Sequence, residues 1–175
     1  MRAVALALIA IGFISACTGL PKQVEPVTEF EVDRYLGTWY EIARLDHRFE
    51  RGLNNVTATY SLRDDGGLVV ENRGYSTKKE EWQNATGKAY FVGDNQVGHL
   101  KVSFFGPFYG SYAVFELDKK DYQYAFISGN TTKYLWFLSR TPTVSDEAIN
   151  KFKQRAEELG FDISGLIMVE HGAES

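Results

Sequence analysis

Residues 37–44 read Gly37-Thr38-Trp39-Tyr40-Glu41-Ile42-Ala43-Arg44. From Gly37 onward the chain alternates apolar and polar positions with period two, the spacing of a half-buried strand. The same pattern predicts strands at 37–45, 54–63, 67–77, 82–93, 97–105, 110–118, 121–128 and 133–140. Asp64-Asp65-Gly66-Gly67 and Gly93-Asp94-Asn95 have the residues of hairpin turns, and Asp118-Lys119-Lys120-Asp121 is a further polar break. Connections this short make neighbouring strands antiparallel. Eight strands in an up-and-down meander remove their exposed edges by closing into a barrel.

One helix follows the last long strand. Thr143 and Ser145 are N-cap candidates, Ala148, Ile149, Phe152, Ala156 and Leu159 form one apolar stripe, and Gly160 ends the run. A single stripe places the helix on the outside of the barrel wall. Leu166-Ile167-Met168-Val169 is short enough for a last strand that pairs near the first. The fold class is therefore all-β: an eight-stranded antiparallel barrel with one C-terminal helix.

Composition narrows the chemistry. The 175 residues suit one domain, and 44% hydrophobic with 24% charged is ordinary globular composition. Aromatic residues reach 14%, which suits β-structure or an aromatic-lined cavity. A net charge of −4 lacks the basic footprint of a nucleic-acid binder. A single cysteine excludes an intramolecular disulfide and thiolate-rich zinc sites.

That cysteine sits at a processing point. Residues 3–14 are unbroken apolar sequence behind Arg2, and as a helix they would reach only about 18 Å, short of a bilayer core. They read as the core of an export signal. Ile14-Ser15-Ala16-Cys17 resembles the bacterial lipobox. That resemblance implies cleavage before Cys17, a lipidated Cys17 as membrane anchor, and, with Thr18 behind it, the outer membrane, the barrel facing the periplasm. Residues 1–16 are thus expected to be a signal peptide, 17–30 a lipidated tether with two prolines, and 31–175 the folded domain.

Three segments resemble the lipocalin family, in particular its bacterial outer-membrane lipoprotein members, relatives of apolipoprotein D. They are Gly37–Arg44, Asp121-Tyr122-Gln123-Tyr124-Ala125 before the seventh strand, and Leu138-Ser139-Arg140-Thr141-Pro142 before the helix. Similarity covers roughly residues 30–170. It implies that Trp39 plugs the closed end, that Arg140 lies across its indole, that Gly37 makes the tight entry, and that Asp121 and Tyr122 fix a turn. It also sets the strand phase. The inward residues are then Glu41, Ala43, Ala58, Tyr60, Val70, Asn72, Ala85, Gly87, Ala89, Val102, Phe104, Ala125, Ile127, Tyr134, Trp136 and Leu138. Small residues on several walls and aromatics on others suggest a cavity, because a filled core favours larger side chains.

Alternate loops line the open mouth. Phe105, Phe108 and Tyr109 stand at its rim, suited to an amphipathic ligand or a lipid surface. His47, Arg48, Arg51, Lys78 and Lys79 are candidate partners for an anionic head group. Glu41, low in the barrel, either bonds neighbouring polar groups or meets a polar ligand group. The resemblance implies a carrier of one fatty acid or lysophospholipid, without cofactor or metal, and homodimers occur in the family. Two other readings stay open. A lipid-modifying enzyme is disfavoured because His47, His99 and His171 have no metal-ligand spacing, no G-x-S-x-G elbow is present, and Cys17 precedes the barrel. A structural lipoprotein would have its barrel filled with side chains.

Overall fold

The computed structural model describes residues 18–172. Cys17 and the export segment lie outside the described residues. The elements are α1 (Val32–Tyr35), β1 (Gly37–Leu45), β2 (Leu53–Leu62), β3 (Leu68–Ser76), β4 (Glu81–Phe91), β5 (His99–Phe105), β6 (Phe108–Leu117), β7 (Tyr124–Ser128), β8 (Leu135–Ser139), α2 (Asp146–Glu158) and β9 (Leu166–Met168). Each of β2 to β7 pairs with the next strand, β8 pairs with β1, and β1 pairs back with β2. Eight antiparallel strands thus close the expected barrel, and β9 adds to the free side of β1.

Two apolar layers hold it. Trp39, Tyr60, Leu68, Val70, Ala89, Leu100, Val114 and Ile127 pack inside the barrel. Ala113, Phe115, Phe126, Phe137 and Leu135 face the other way and meet Phe152 and Ala156 of α2 and Leu159 at its C-cap. The Phe152 ring lies 4.9 Å from Phe126 and 5.1 Å from Phe137. Burying such a side chain contributes about 1.5–3 kcal/mol. The cap is Ser145, whose hydroxyl accepts from Ala148 N at 3.3 Å. At the other end Gly160 takes φ +81°, and Phe161 N donates to Ala156 O at 3.0 Å, closing a Schellman turn.

Three local features depart from strict alternation. The β1–β8 register shifts between Glu41 and Ala43, so Ile42 is an extra residue in a β-bulge. The bulge reverses the phase beyond it. Ala43 therefore points outward into the helix-side core, not into the cavity as expected. Arg44 turns inward and is buried.

The stretch read as a tether is docked from Val24 on. Val27 N donates to Val114 O and Gly98 N to Val27 O, both at 2.8 Å, while Phe30 N reaches Gln96 O at 2.8 Å. Val24 and Phe30 are buried. Anchors spaced three apart in a strap without regular secondary structure leave no periodic signal in the sequence. Gly98 is needed beneath it, since a Cβ there would stand 2.9 Å from Val27 Cγ2.

The upper halves of β1 and β2 separate, because their ladder covers only residues 37–40 and 57–60. The chain end fills this seam. Val169 N donates to Ile42 O at 2.9 Å, Asn55 N to Glu170 O at 2.8 Å, and His171 Nε2 to Glu41 O at 2.7 Å.

Candidate functional site

The closed end is built by the motif residues. Trp39 is fully buried and donates from Nε1 to Tyr35 O at 2.8 Å. The Arg140 guanidinium carbon stands 3.9 Å from the Trp39 ring centroid. Its nitrogens donate to the carbonyls of Thr38 (2.9 Å), Arg34 (2.8 Å), Leu36 (2.9 Å) and Tyr122 (3.3 Å). A planar fork with several donors makes this clamp, which an ammonium cannot reproduce. Gly37 has φ +90°, the region glycine enters at least cost. Tyr122 ties the same corner by accepting from Glu31 N at 3.0 Å. The turn-fixing carboxylate, however, is Asp118, not Asp121. Asp118 accepts from the backbone of Lys120, Asp121 and Gln123, whereas the Asp121 carboxylate stands 4.0 Å from Lys120 Nζ at the surface.

Above the floor, three tyrosine hydroxyls form a chain: Tyr35 to Tyr112 at 2.7 Å and Tyr112 to Tyr60 at 2.8 Å. Burial raises the pKa of all three, so they stay neutral donors and acceptors.

The interior then opens into two connected spaces. The lower, about 110 Å³, is lined by Glu41, Ala58, Tyr60, Val70, Asn72, Tyr112 and Leu138. Asn72 Oδ1 is buried there without a hydrogen-bond partner among the described residues. The upper, about 490 Å³, reaches the mouth between Leu53, Val56, Ala85, Phe105, Phe108, Tyr109 and Tyr134. Val56, Val102, Phe104, Trp136, Asn72 and Glu50 border both. The β4–β5 ladder covers only Lys88–Phe91, so the upper part of β4 pairs with β3 alone and widens the chamber.

A buried ionic network forms the waist between the two. Arg44 Nη1 donates to Glu41 Oε1 at 2.8 Å, and Nη2 donates to the carbonyls of Glu50 (2.8 Å) and Leu53 (3.2 Å). Trp136 Nε1 donates to Glu50 Oε2 at 3.0 Å, and His47 Nε2 stands 2.8 Å from the same oxygen. Burial pushes the Glu41 carboxyl well above its ordinary range, and the Glu50 charge pushes the same way against Arg44. Burial opposes ionisation of Glu50 too, but His47, Trp136 and Arg44 together hold it below its ordinary value. Two adjacent carboxyls cannot both ionise cheaply, so Glu50 ionises before Glu41.

Most expected cavity residues do line these spaces: Glu41, Ala58, Tyr60, Val70, Asn72, Ala85, Val102, Phe104, Tyr134, Trp136 and Leu138, with Phe105, Phe108 and Tyr109 at the rim. Ala89, Ala125 and Ile127 point inward but belong to the packed core. The Phe104 ring covers Gly87, where a Cβ would meet it at 2.8 Å. Among the expected rim cations, His47 is buried against Glu50, and Arg51 is paired with Asp46 at 2.6 Å. Arg44, Glu50, Val56 and Tyr112 were not expected. Alternation run backward from Tyr60 and Ala58 would have found Val56, but no local signal marks a loop glutamate that folds inward.

Comparison with known proteins agrees with this geometry. The Lipocalin-like domain family matches residues 30–171. The outer membrane lipoprotein Blc of Vibrio cholerae serotype O1 is 58% identical over 170 residues, covering 97% of this chain and 99% of that protein. The Escherichia coli K12 protein of the same name is 57% identical over 150 residues, covering 86% and 84%. Mouse apolipoprotein D is 33% identical, covering 81% and 77%. Among solved structures, insecticyanin from Manduca sexta superposes with a TM-score of 0.69 at 22% identity, covering 89% and 88% of the two chains. A barrel closed by the Trp39–Arg140 clamp, hollow above it, and matched over nearly its whole folded length by these proteins belongs to the lipocalin family.

Proposed function

We propose that this protein is a lipid carrier of the bacterial outer membrane, anchored through a lipidated Cys17. It holds one fatty acid or lysophospholipid with the acyl chain in the upper chamber. The carrying observation is the chamber itself: about 490 Å³, open at one end and walled largely by Val56, Ala85, Val102, Phe104 and Trp136. That volume is within the usual range for small-molecule sites. Burying ten methylenes contributes roughly 8 kcal/mol before ordering costs. A hollow barrel counts against the structural-lipoprotein reading. The names of the Vibrio and Escherichia relatives support the membrane assignment. The lower space is walled mainly by apolar groups, but Glu41, Tyr60, Asn72 and Tyr112 also line it and suit bound water beneath the chain end.

An enzymatic role finds little support. Ser111 Oγ and His99 Nε2 are 2.9 Å apart and Ser111 borders the upper chamber, but His99 is not among the residues that line it. The test is extraction of protein purified from its own host, with mass spectrometry of the released lipids. Stoichiometric acyl lipid is expected. Protein that carries no lipid, and takes up no fluorescent fatty acid saturably, refutes the carrier reading.

A further inference from the structure

The foot of the cavity carries polar groups for which a plain hydrocarbon chain has no use. Asn72 stands on β3 between Ala58 of β2 and Ala85 of β4, its register partners on either side. Two alanine side chains are too short to cover an amide, and Asn72 borders both the lower and the upper space. Its Oδ1 is buried and has no hydrogen-bond partner among the described residues. Leaving such an acceptor unpaired is costly, and a ligand group that bonds it recovers the loss.

Asn72 is not the only polar group there. Glu41, Tyr60 and Tyr112 line the same lower space of about 110 Å³. The two phenols are 2.8 Å apart, and burial holds both in the neutral form. Burial also favours the neutral form of the Glu41 carboxyl. An amide, a carboxyl and two phenols therefore converge on one small pocket beneath the waist.

The waist decides which kind of polar group can reach them. Arg44 is engaged with the Glu41 carboxyl and with the carbonyls of Glu50 and Leu53, and it is not among the residues that line either space. Glu50 does line both, and His47, Trp136 and Arg44 favour its charged form. An anion passing Glu50 is repelled. An ammonium is attracted, but it must shed its water to enter a space walled mainly by apolar groups. A hydroxyl is neutral, and it both donates and accepts, so amide, carboxyl and phenol can all bond it.

A ligand reaches this point with its far end. The upper chamber opens at the mouth, where a polar head stays in water. Asn72 lies four residues below the mouth end of β3 at Ser76, about 13 Å along the strand at 3.3 Å per residue. From this arrangement we infer that the foot of the cavity is a hydroxyl-binding subsite. The ligands it fits are acyl chains with a hydroxyl at or near the end remote from the head group, bonded by Asn72 together with Tyr60, Tyr112 and Glu41. This rests on the carrier reading and narrows its ligand class.

The test is displacement of a fluorescent fatty acid from the full chain by saturated acids from decanoic to hexadecanoic. Each acid is compared with its ω-hydroxy counterpart and its α-hydroxy isomer. At an apolar foot a terminal hydroxyl loses its water without return, and the ω-hydroxy acid binds about tenfold more weakly than the plain acid. The subsite makes it the tighter ligand, by about threefold to tenfold at the length whose end reaches Asn72. No gain is expected for the α-hydroxy isomer, whose hydroxyl stays at the mouth. Asn72→Leu should abolish or reverse the preference, read as the ratio of the two affinities within that variant. A wild-type preference that is absent at every length overturns the inference, and so does one that Asn72→Leu keeps in full. An ω-amino fatty acid that outcompetes the ω-hydroxy acid overturns the neutral assignment. If Asn72→Leu fails to fold, the wild-type series still decides. Plain acids bound without any hydroxyl preference refute the subsite alone, whereas no uptake of any acid refutes the carrier reading with it.

Discussion

Alanines 85 and 89 stand on one face of β4, and the same substitution at each is expected to act on different quantities. Ala85 pairs with Asn72, lines the upper chamber and is exposed to it. Ala89 pairs with Leu68 below the chamber and is 1% exposed. An indole at 85 grows into empty volume. If it takes the place of about four chain methylenes, the loss is about 3 kcal/mol, or roughly 200-fold in affinity. Stability should change by no more than about 0.5 kcal/mol, because no packed atom moves. An indole at 89 has no space and must displace the floor, costing about 1–3 kcal/mol or more of stability. Displacement of a fluorescent fatty acid measures the first effect, and urea unfolding with ligand absent measures the second. Affinity within threefold of wild type for Ala85→Trp would refute the location of the ligand. Equal destabilisation at both positions would refute the boundary between chamber and floor.

The ionic waist and the floor clamp give further expectations. Arg44→Met removes the guanidinium from the Glu41 carboxyl and from the Glu50 and Leu53 carbonyls, and with it a charge that favours ionised Glu50, and should cost about 3–5 kcal/mol, read from denaturant midpoints. Arg140→Lys keeps the charge over Trp39 but not the four carbonyl contacts, and should cost about 2–3 kcal/mol by the same measurement. Burial raises the pKa of Glu41 well above 4.5 in the folded protein. Above 4.5 the unfolded chain loses that proton first and binds fewer protons than the native state. Stability contributed by this group is thus complete below 4.5 and is lost as pH rises through the folded value. Glu41→Gln should flatten the decline in unfolding free energy from acidic to mildly alkaline pH; an unchanged slope would place the proton elsewhere.

Much of the fold is legible along the chain because its signals are local. Each antiparallel hairpin needs only alternation and a turn, so β1 begins and ends where the period-two pattern does, at Gly37 and Leu45. Ser145 and Gly160 bound α2 through hydrogen bonds to residues a few positions away. Trp39 and Arg140 are far apart in sequence, yet the lipocalin resemblance carries their contact, and the clamp forms as that resemblance implies.

What the sequence by itself determined is therefore the strand succession, the antiparallel closure, the capped helix on one wall and the motif at the floor. Tertiary structure alone decided the inner surface. One bulge residue, Ile42, sends Ala43 to the helix and Arg44 to the cavity, because a single insertion reverses every later side chain on the strand. With Arg44 inside, a loop glutamate gains a cation to face, and Glu50 folds in to divide the cavity into two spaces. The N-terminal strap and the C-terminal seam are decided the same way. Their hydrogen bonds run to residues such as Val114, Gly98 and Asn55 that become neighbours only after the barrel has closed.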